Sequence, residues 1–422
     1  YTPNKENNVF QLIVQYGAGE REFPKLGYAA QLMNNAGIMG AYEPQELKEE
    51  LSKLNATCHV TADEDNLYII MEGYEATLPQ ACQLLSRQIL MPKLDEKQLA
   101  RLKGSAMGMR QQRKDNVSIL NEALRQYMLY GEKSDYIKEL TDKEIYELQI
   151  SELTGDINRA SNYEAKVFFT GTLPFDQVYD ILSKNLPLVA NERPSNSPQA
   201  KEMMPVTENT VYFLPNNDAE QAQIHLYIPM QKADKKDDVL RSAFNQYFGL
   251  DFTGIVLNEI REKRSMAYTA YAFVGTQGIA GKASYLRGYI GTQNDKANDA
   301  LDVLMSLVND MPKNPERIGN IKSYLRQAML TSHPSFRNKA MELVDLGYRG
   351  YTDDPAKENL PKVDALTFDD IVKFYEENIK GKPYCISIMG NPKDIDLKRL
   401  EKFGKVVKLN ERKLFNTKDA LF

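Results

Sequence analysis

Apolar positions along this chain alternate between two periods. Val9 to Tyr16 (VFQLIVQY) is rich in β-branched and aromatic residues and predicts a strand, as does Asn66 to Gly73. Leu26 to Asn35, closed by Gly37, predicts a helix, and Pro44 opens another in which Leu47, Leu51 and Leu54 fall at helical spacing. Helices are also predicted over Thr77 to Leu90 and Glu96 to Arg113, and a strand over Lys166 to Gly171. This mixture of hairpin-like strand pairs and helices is an α+β pattern rather than an all-parallel one.

The polar stretch Asn191-Glu192-Arg193-Pro194-Ser195-Asn196-Ser197-Pro198 interrupts the order and reads as a linker. Beyond it the elements begin again. Thr210 to Leu214 and Ile224 to Ile228 predict strands, and Leu240 to Tyr247 a helix. Ala81 to Leu85 with Met91-Pro92-Lys93 and Lys103 matches Ala300 to Leu304 with Met311-Pro312-Lys313 and Lys322, at an offset of about 219. Phe169-Thr170-Gly171 and Ile388-Met389-Gly390 share that offset. The expected architecture is two homologous α/β domains in tandem, residues 1–195 and 205–422, each an antiparallel-rich sheet packed with helices.

Length agrees, since 422 residues exceed a single core and suit two domains. A chain 42% hydrophobic and 26% charged is not disordered, collagenous or a coiled coil. A net charge of −5 argues against a nucleic-acid backbone binder. There is no apolar run long enough to span a membrane. The opening Tyr1-Thr2-Pro3-Asn4 is neither a signal peptide nor an initiator, which is expected of a processed chain or of part of a longer one.

Catalytic equipment is sparse. His59, His225 and His333, with Cys58, Cys82 and Cys385, supply neither a zinc knuckle nor a metal-binding helix motif. Cys58 and His59 are neighbours that a strand would point to opposite faces.

The segment Phe248 to Phe273 carries the candidate chemistry. Phe252, Ile255, Val256 and Ile260 recur at helical spacing, Arg261 lies off that stripe, and Glu259 and Lys263 form an i,i+4 pair. From Ala267 the period becomes two, which puts Tyr268, Ala270 and Ala272 on one strand face. The turn between them brings a guanidinium and a phenol together, two donors suited to a carbonyl oxygen. Taken without any resemblance, the charged residues read first as a solvated helix face and Tyr268 as a packing residue.

Asn258-Glu259-Ile260-Arg261-Glu262-Lys263-Arg264-Ser265-Met266-Ala267-Tyr268 resembles the signature in the last domain of the pitrilysin/insulysin (M16) family of zinc peptidases. Asn8 to Asp115 is similar to the leading domain of a family half and Val211 to Phe403 to the trailing one. The whole-chain pattern is similar to the second half of long, bacteroidete-type members. The resemblance implies the metallohydrolase fold of LuxS and the mitochondrial processing peptidases, with two halves closing a chamber. It also implies a zinc site, an inverted His-x-x-Glu-His motif with a distal Glu. Here Ala30, Met33 and Asn34 stand at the motif positions and the distal position falls near Met107, a set that cannot hold zinc. No catalytic residue, metal or cofactor is therefore expected in this chain, and zinc is expected in the partner half.

What the resemblance carries over is Arg261 and Tyr268, as donors to the backbone of a peptide cut at the other half's zinc. Leu250, Asp251 and Phe252 depart from the family's Gly-rich run before this helix. The implied function is the non-zinc, substrate-binding half of a metalloendopeptidase, in a periplasmic or secreted setting. Its partners would be a zinc-bearing half, in the same chain or a separate subunit, and extended peptides added to a sheet edge. The rival is a catalytically dead homologue acting as a scaffold or peptide-binding module. Asp63-Glu64-Asp65 reads as a solvated turn, Tyr271 and Phe273 as core or sheet-face residues, Gly275 to Gly281 as a loop, and His225 as a satisfied structural histidine.

Overall fold

The structure, a computed structural model, describes residues 1–113, 116–186, 193–196, 198–249, 253–332 and 334–418. It is an α+β fold with two large sheets. The first holds β1 (Thr2–Pro3), β2 (Val9–Tyr16), β3 (Thr57–Ala62), β4 (Leu67–Tyr74) and β5 (Ala165–Gly171), ordered β1-β5-β2-β4-β3. The second holds β6 (Thr210–Pro215), β7 (Gln221–Lys232), β8 (Ala267–Thr276), β9 (Ala283–Gln293), β10 (Cys385–Gly390) and β11 (Lys405–Lys408). Its order is β11-β6-β10-β7-β9-β8. Without β11, the second order repeats the first strand for strand. The senses repeat too: β1 on β5 and β6 on β10 are parallel, and the three following pairs in each sheet are antiparallel.

Helices repeat in the same way. Helix α1 (Leu26–Met33) packs on edge strand β3, as α4 (Asp238–Phe248) packs on edge strand β8. Helix α2 (Leu78–Leu90) and α5 (Ala297–Asn309) carry the matching Ala-Leu segments, each with its apolar stripe buried in its own core.

The third pair breaks the simple tandem picture. Helix α3 (Val117–Tyr130) packs on β7 and β10 of the second sheet, whereas its counterpart α6 (Lys339–Tyr348) packs on β5 of the first. Each half thus lends one helix to the other's open face. Asn116 caps α3 by accepting from the Ser118 and Ile119 amides, and Gly131 at φ +55° ends it. Leu120, Ala123 and Leu124 form a helical stripe that buries against Leu214, Met389, Leu409 and Leu414. One turn later Met128 and Leu129 meet Tyr227 and Cys385. Strand β10 is accordingly buried on both faces, with Ile386 and Ile388 in the main core and Cys385 and Met389 under α3.

Part of the expected linker lies on the first unit. The Glu164 amide donates to the Arg193 carbonyl at 2.8 Å and the Asn196 amide to that of Gly17 at 2.8 Å. Asn191, Glu192 and Ser197 lie outside the described residues.

His225 lies under α3, 3% exposed, and only one of its nitrogens is satisfied. Nε2 is 3.1 Å from Asn121 Oδ1, an acceptor, so Nε2 carries the proton. Nδ1 has no partner among the described residues, which corrects the expectation of a satisfied histidine. Burial, then the nearby Arg287 and Arg125 charges, pull its pKa down to about 3.

Two outcomes follow from this packing. Leu124→Ala should cost about 2–5 kcal/mol, read by denaturant melting, because the cavity opens between units. The wild-type chain should lose stability as pH falls, beginning near pH 6.5 where the unfolded imidazole protonates and continuing toward pH 3. In His225→Gln the slope between pH 6 and 4 should be shallower by about one proton, roughly 1.4 kcal/mol per pH unit. An unchanged slope would mean that the imidazole is not held neutral.

Candidate peptide-contact site

The signature segment is not the regular helix that its periodicity predicts. A short α-turn, Ile255–Leu257, passes into a wider turn over Asn258–Glu262, where the Lys263 amide reaches five residues back to the Asn258 carbonyl at 2.9 Å. Ile255, Val256 and Ile260 are buried as expected, and Phe252 lies outside the described residues together with Leu250 and Asp251. Ser265 then adopts φ +50°, and the Ser265 and Met266 amides close the turn on the Arg261 and Ile260 carbonyls.

Strand β8 begins with a bulge. Its register against β9 shifts between Ala267 and Thr269, so Tyr268 is the extra residue. The bulge corrects the expectation that Tyr268 shares a face with Ala270 and Ala272. Those two are buried in the core, while Tyr268 turns outward and is 77% exposed.

Arg261 and Tyr268 do come together, with the guanidinium carbon 5.1 Å from the ring centroid. Arg261 Nε lies 3.4 Å from Glu262 Oε1, a half-exposed contact that leaves the rest of the fork available. The other charges are committed locally. Glu259 accepts from Lys263 at 2.6 Å and from Arg264 at 2.5 Å, and these bonds hold its carboxyl below the usual range. The site thus presents one cation and one phenol to solvent, held by a buried turn beneath them.

The positions implied for zinc are spent on structure. Ala30 and Met33 are buried in the first core, and Met107 packs against it. Asn34 donates from Nδ2 to the Val60 carbonyl at 2.9 Å and accepts the Val60 amide at Oδ1 at 2.7 Å. These residues do not fit a metal, and among the described residues no group of His, Cys, Asp or Glu is placed to hold one. Burial pushes the Cys58 and Cys82 thiols up to about 12, so neither is a nucleophile near neutral pH.

Sequence reasoning missed what Asn34 does. Val60 lies on edge strand β3, and the amide side chain pairs both of its outward backbone groups. Asn245 on α4 makes the same pair with Val274 on edge strand β8, at 3.0 Å and 2.6 Å. The Ala272 amide is also taken, by the Gly249 carbonyl at 3.0 Å. Both edges facing these helices are therefore closed at their middles, and a peptide strand added there would have to displace an asparagine. The two asparagines lie 211 residues apart rather than about 219, so the repeat offset did not align them.

Residues 161–322 match the family model described as the peptidase M16 inactive domain. Over those residues the chain is similar to that domain. The fold of this chain is similar to that of the peptidase M16 inactive domain from Pseudomonas fluorescens, with TM-score 0.73 and 16% identity over 94% of this chain and 96% of that one. It is also similar to the periplasmic protease PqqL from Escherichia coli, with TM-score 0.70 and 13% identity over 92% of this chain and 44% of that one. The ferredoxin protease FusC, in complex with Arabidopsis ferredoxin, is similar at TM-score 0.69 and 12% identity, over 91% and 42%. This chain thus spans less than half of the PqqL and FusC chains. No curated protein matches it. Among the described residues no helix is long and apolar enough to cross a membrane.

The clamp yields a direct outcome. Asn34→Ala leaves two backbone groups of Val60 unpaired in a partly buried setting, and chemical denaturation should show a loss of about 1–3 kcal/mol. Asn34→Asp keeps an acceptor and loses the donor, so it should fall between the two. Equal stability of all three proteins would mean that water replaces the clamp without cost.

Proposed function

We propose that this chain is the non-zinc, substrate-binding half of an M16-type zinc metalloendopeptidase, completing a peptide-degrading chamber with a zinc-bearing half. That half is either joined to it in a longer native chain or a separate subunit. The observation that carries the reading is the exposed Arg261–Tyr268 pair on a rigid turn. A catalytic chain would also need a base or a metal, and the metal positions here are spent on packing and on the edge clamp. The lengths of PqqL and FusC, each more than twice the part matched here, fit a half of a larger protease.

In this reading units 1–195 and 205–422 move as one body, because each is covered by a helix of the other. Arg261 and Tyr268 donate to a carbonyl of the peptide whose scissile bond lies at the partner's zinc. They need no change of protonation to do so. Placed where negative charge develops on the carbonyl oxygen, such donors act mainly in the transition state. With the middles of β3 and β8 closed, peptide is held here by side-chain donors rather than by strand addition at those edges.

The test is reconstitution with a zinc-bearing half and steady-state cleavage of a peptide library. Arg261→Ala or Tyr268→Phe should lower kcat by about 10²–10³-fold, the scale of one oxyanion-type donor, and a pure positioning role would lower it less. Melting temperature should hardly change, since both side chains are solvent-facing. Wild-type turnover in both variants would favour the scaffold reading.

A further inference from the structure

A second polar cleft, of about 730 Å³, opens between the two units, away from the Arg261–Tyr268 turn. Its walls come from the β3–β4 turn, the end of α3, the segment Pro198–Lys201, the β8–β9 loop and α6. Six carboxylates line it: Asp63, Glu64, Asp65, Asp135, Glu342 and Asp345. The three basic side chains that also line it are already committed. Arg125 pairs with Glu122, Lys201 with Asp135 and Glu64, and Arg349 with Asp238. Glu342 and Asp345, three residues apart on α6, form no ion pair among the described residues. Burial, then Glu342, raises the Asp345 carboxyl above its usual value, with the nearby Arg349 charge opposing them in part. Just behind the wall, Glu20 is raised by burial and then by Asp63, Glu64 and Asp135.

A buried amide gives the independent sign of a ligand. Gln15, on β2, is 4% exposed and lines this cleft, and its Oε1 has no hydrogen-bond partner among the described residues. The amide's orientation follows from its neighbour. The Tyr68 hydroxyl donates its proton to Asp63 Oδ2 at 2.9 Å and accepts from Asn66 Nδ2 at 3.1 Å. Only an NH₂ can then face Tyr68 from Gln15, which it does at 3.4 Å, so the oxygen is the atom left over. A buried acceptor without a donor is costly. Arg21 pairs with Glu64 and Asp65, Lys201 holds Asp135, and Asp63 accepts from Tyr68, so Glu342 and Asp345 are the lining carboxylates left without a side-chain partner among the described residues.

We infer that this cleft binds the guanidinium or ammonium of a basic side chain on a peptide, with Gln15 Oε1, Glu342 and Asp345 as acceptors. Such a cation supplies the missing donor and offsets the unpaired carboxylates, and a guanidinium can donate to several acceptors at once. Aromatic walls suit the same ligand. Lys201 Nζ already sits 4.7 Å from the Tyr130 ring centroid, and Tyr285 and Tyr348 line the cleft as well. A bare metal ion fits less well, since no three carboxylates, imidazoles or thiolates among the described residues converge.

That the cation belongs to a peptide rests on the peptide-handling reading above. Strand β8 runs from Tyr268 to the cleft mouth at Gln277, a path of roughly 30 Å. Its outward face carries the half-exposed rings of Tyr271 and Phe273, 6.0 Å apart, with Tyr289 of β9 at 5.3 Å from Tyr271. A peptide on this strip would have its cut bond at one end and a basic residue at the other.

The experiment uses this chain alone and a fluorescein-labelled capped pentapeptide with a central arginine, read by anisotropy at low salt. The same peptide with citrulline, which is isosteric and uncharged, is the control. The citrulline peptide should bind at least about tenfold more weakly. The double variant Glu342→Gln with Asp345→Asn should lose about tenfold for the arginine peptide at an unchanged melting temperature, and Gln15→Leu should lose a similar amount. Equal binding of the two peptides, or wild-type affinity in the α6 double variant, would each overturn the assignment. Because no zinc half is present, such a failure would leave the role of Arg261 and Tyr268 to be judged by turnover.

Discussion

The exchange of α3 and α6 is the contact on which the rest of the molecule depends. Strands β2 and β10 sit inside their sheets and are buried on both faces. Each sheet's own helices cover one face, and the other is closed by a helix that the opposite unit donates. Burial of Leu120, Ala123 and Leu124 against Leu214 and Met389 therefore stabilises the second sheet with residues from before the linker. One consequence is that two units which look separable along the chain form a single packed body. Another is that the cleft between them, walled by α3, α6 and the β8–β9 loop, has a fixed shape that can present acceptors to a ligand.

Duplication reaches down to individual side chains. Asn34 and Asn245 perform one task at equivalent places, pairing the outward amide and carbonyl of a valine on an edge strand. At Asn34 this task occupies a position that the family resemblance reserves for a metal ligand. Once the amide is turned toward Val60 it cannot also point at an ion. Asn34 therefore serves the sheet edge.

The Arg261–Tyr268 turn follows a different logic, with irregular backbone on a buried base. The wide turn at Asn258–Glu262, the left-handed Ser265 and the bulge at Tyr268 each depart from regular geometry. Ile255, Val256 and Ile260 anchor that backbone from below, so the two side chains can be exposed without being loose.

Much of the secondary structure was legible in the sequence, because it follows from local periodicity. Val9 to Tyr16, the helix opened by Pro44 and the helix ending at Leu90 appear where the apolar pattern puts them. The offset of about 219 likewise announced two related units, and the residue types at Ala30, Met33, Asn34 and Met107 excluded a zinc site without coordinates. Tertiary structure decided what local patterns do not encode. The stripe on α3 gives a buried face but not the identity of the sheet that buries it, so the helix exchange could not be read. Strict alternation put Tyr268 with Ala270, and only pairing with β9 introduced the extra residue that turned it outward. Gln15 lies within a predicted strand, and only the structure shows its oxygen without a partner among the described residues, in a cleft also lined by α6 from over three hundred residues away. Sequence fixed the chemistry each residue could offer, and long-range packing fixed which groups would meet.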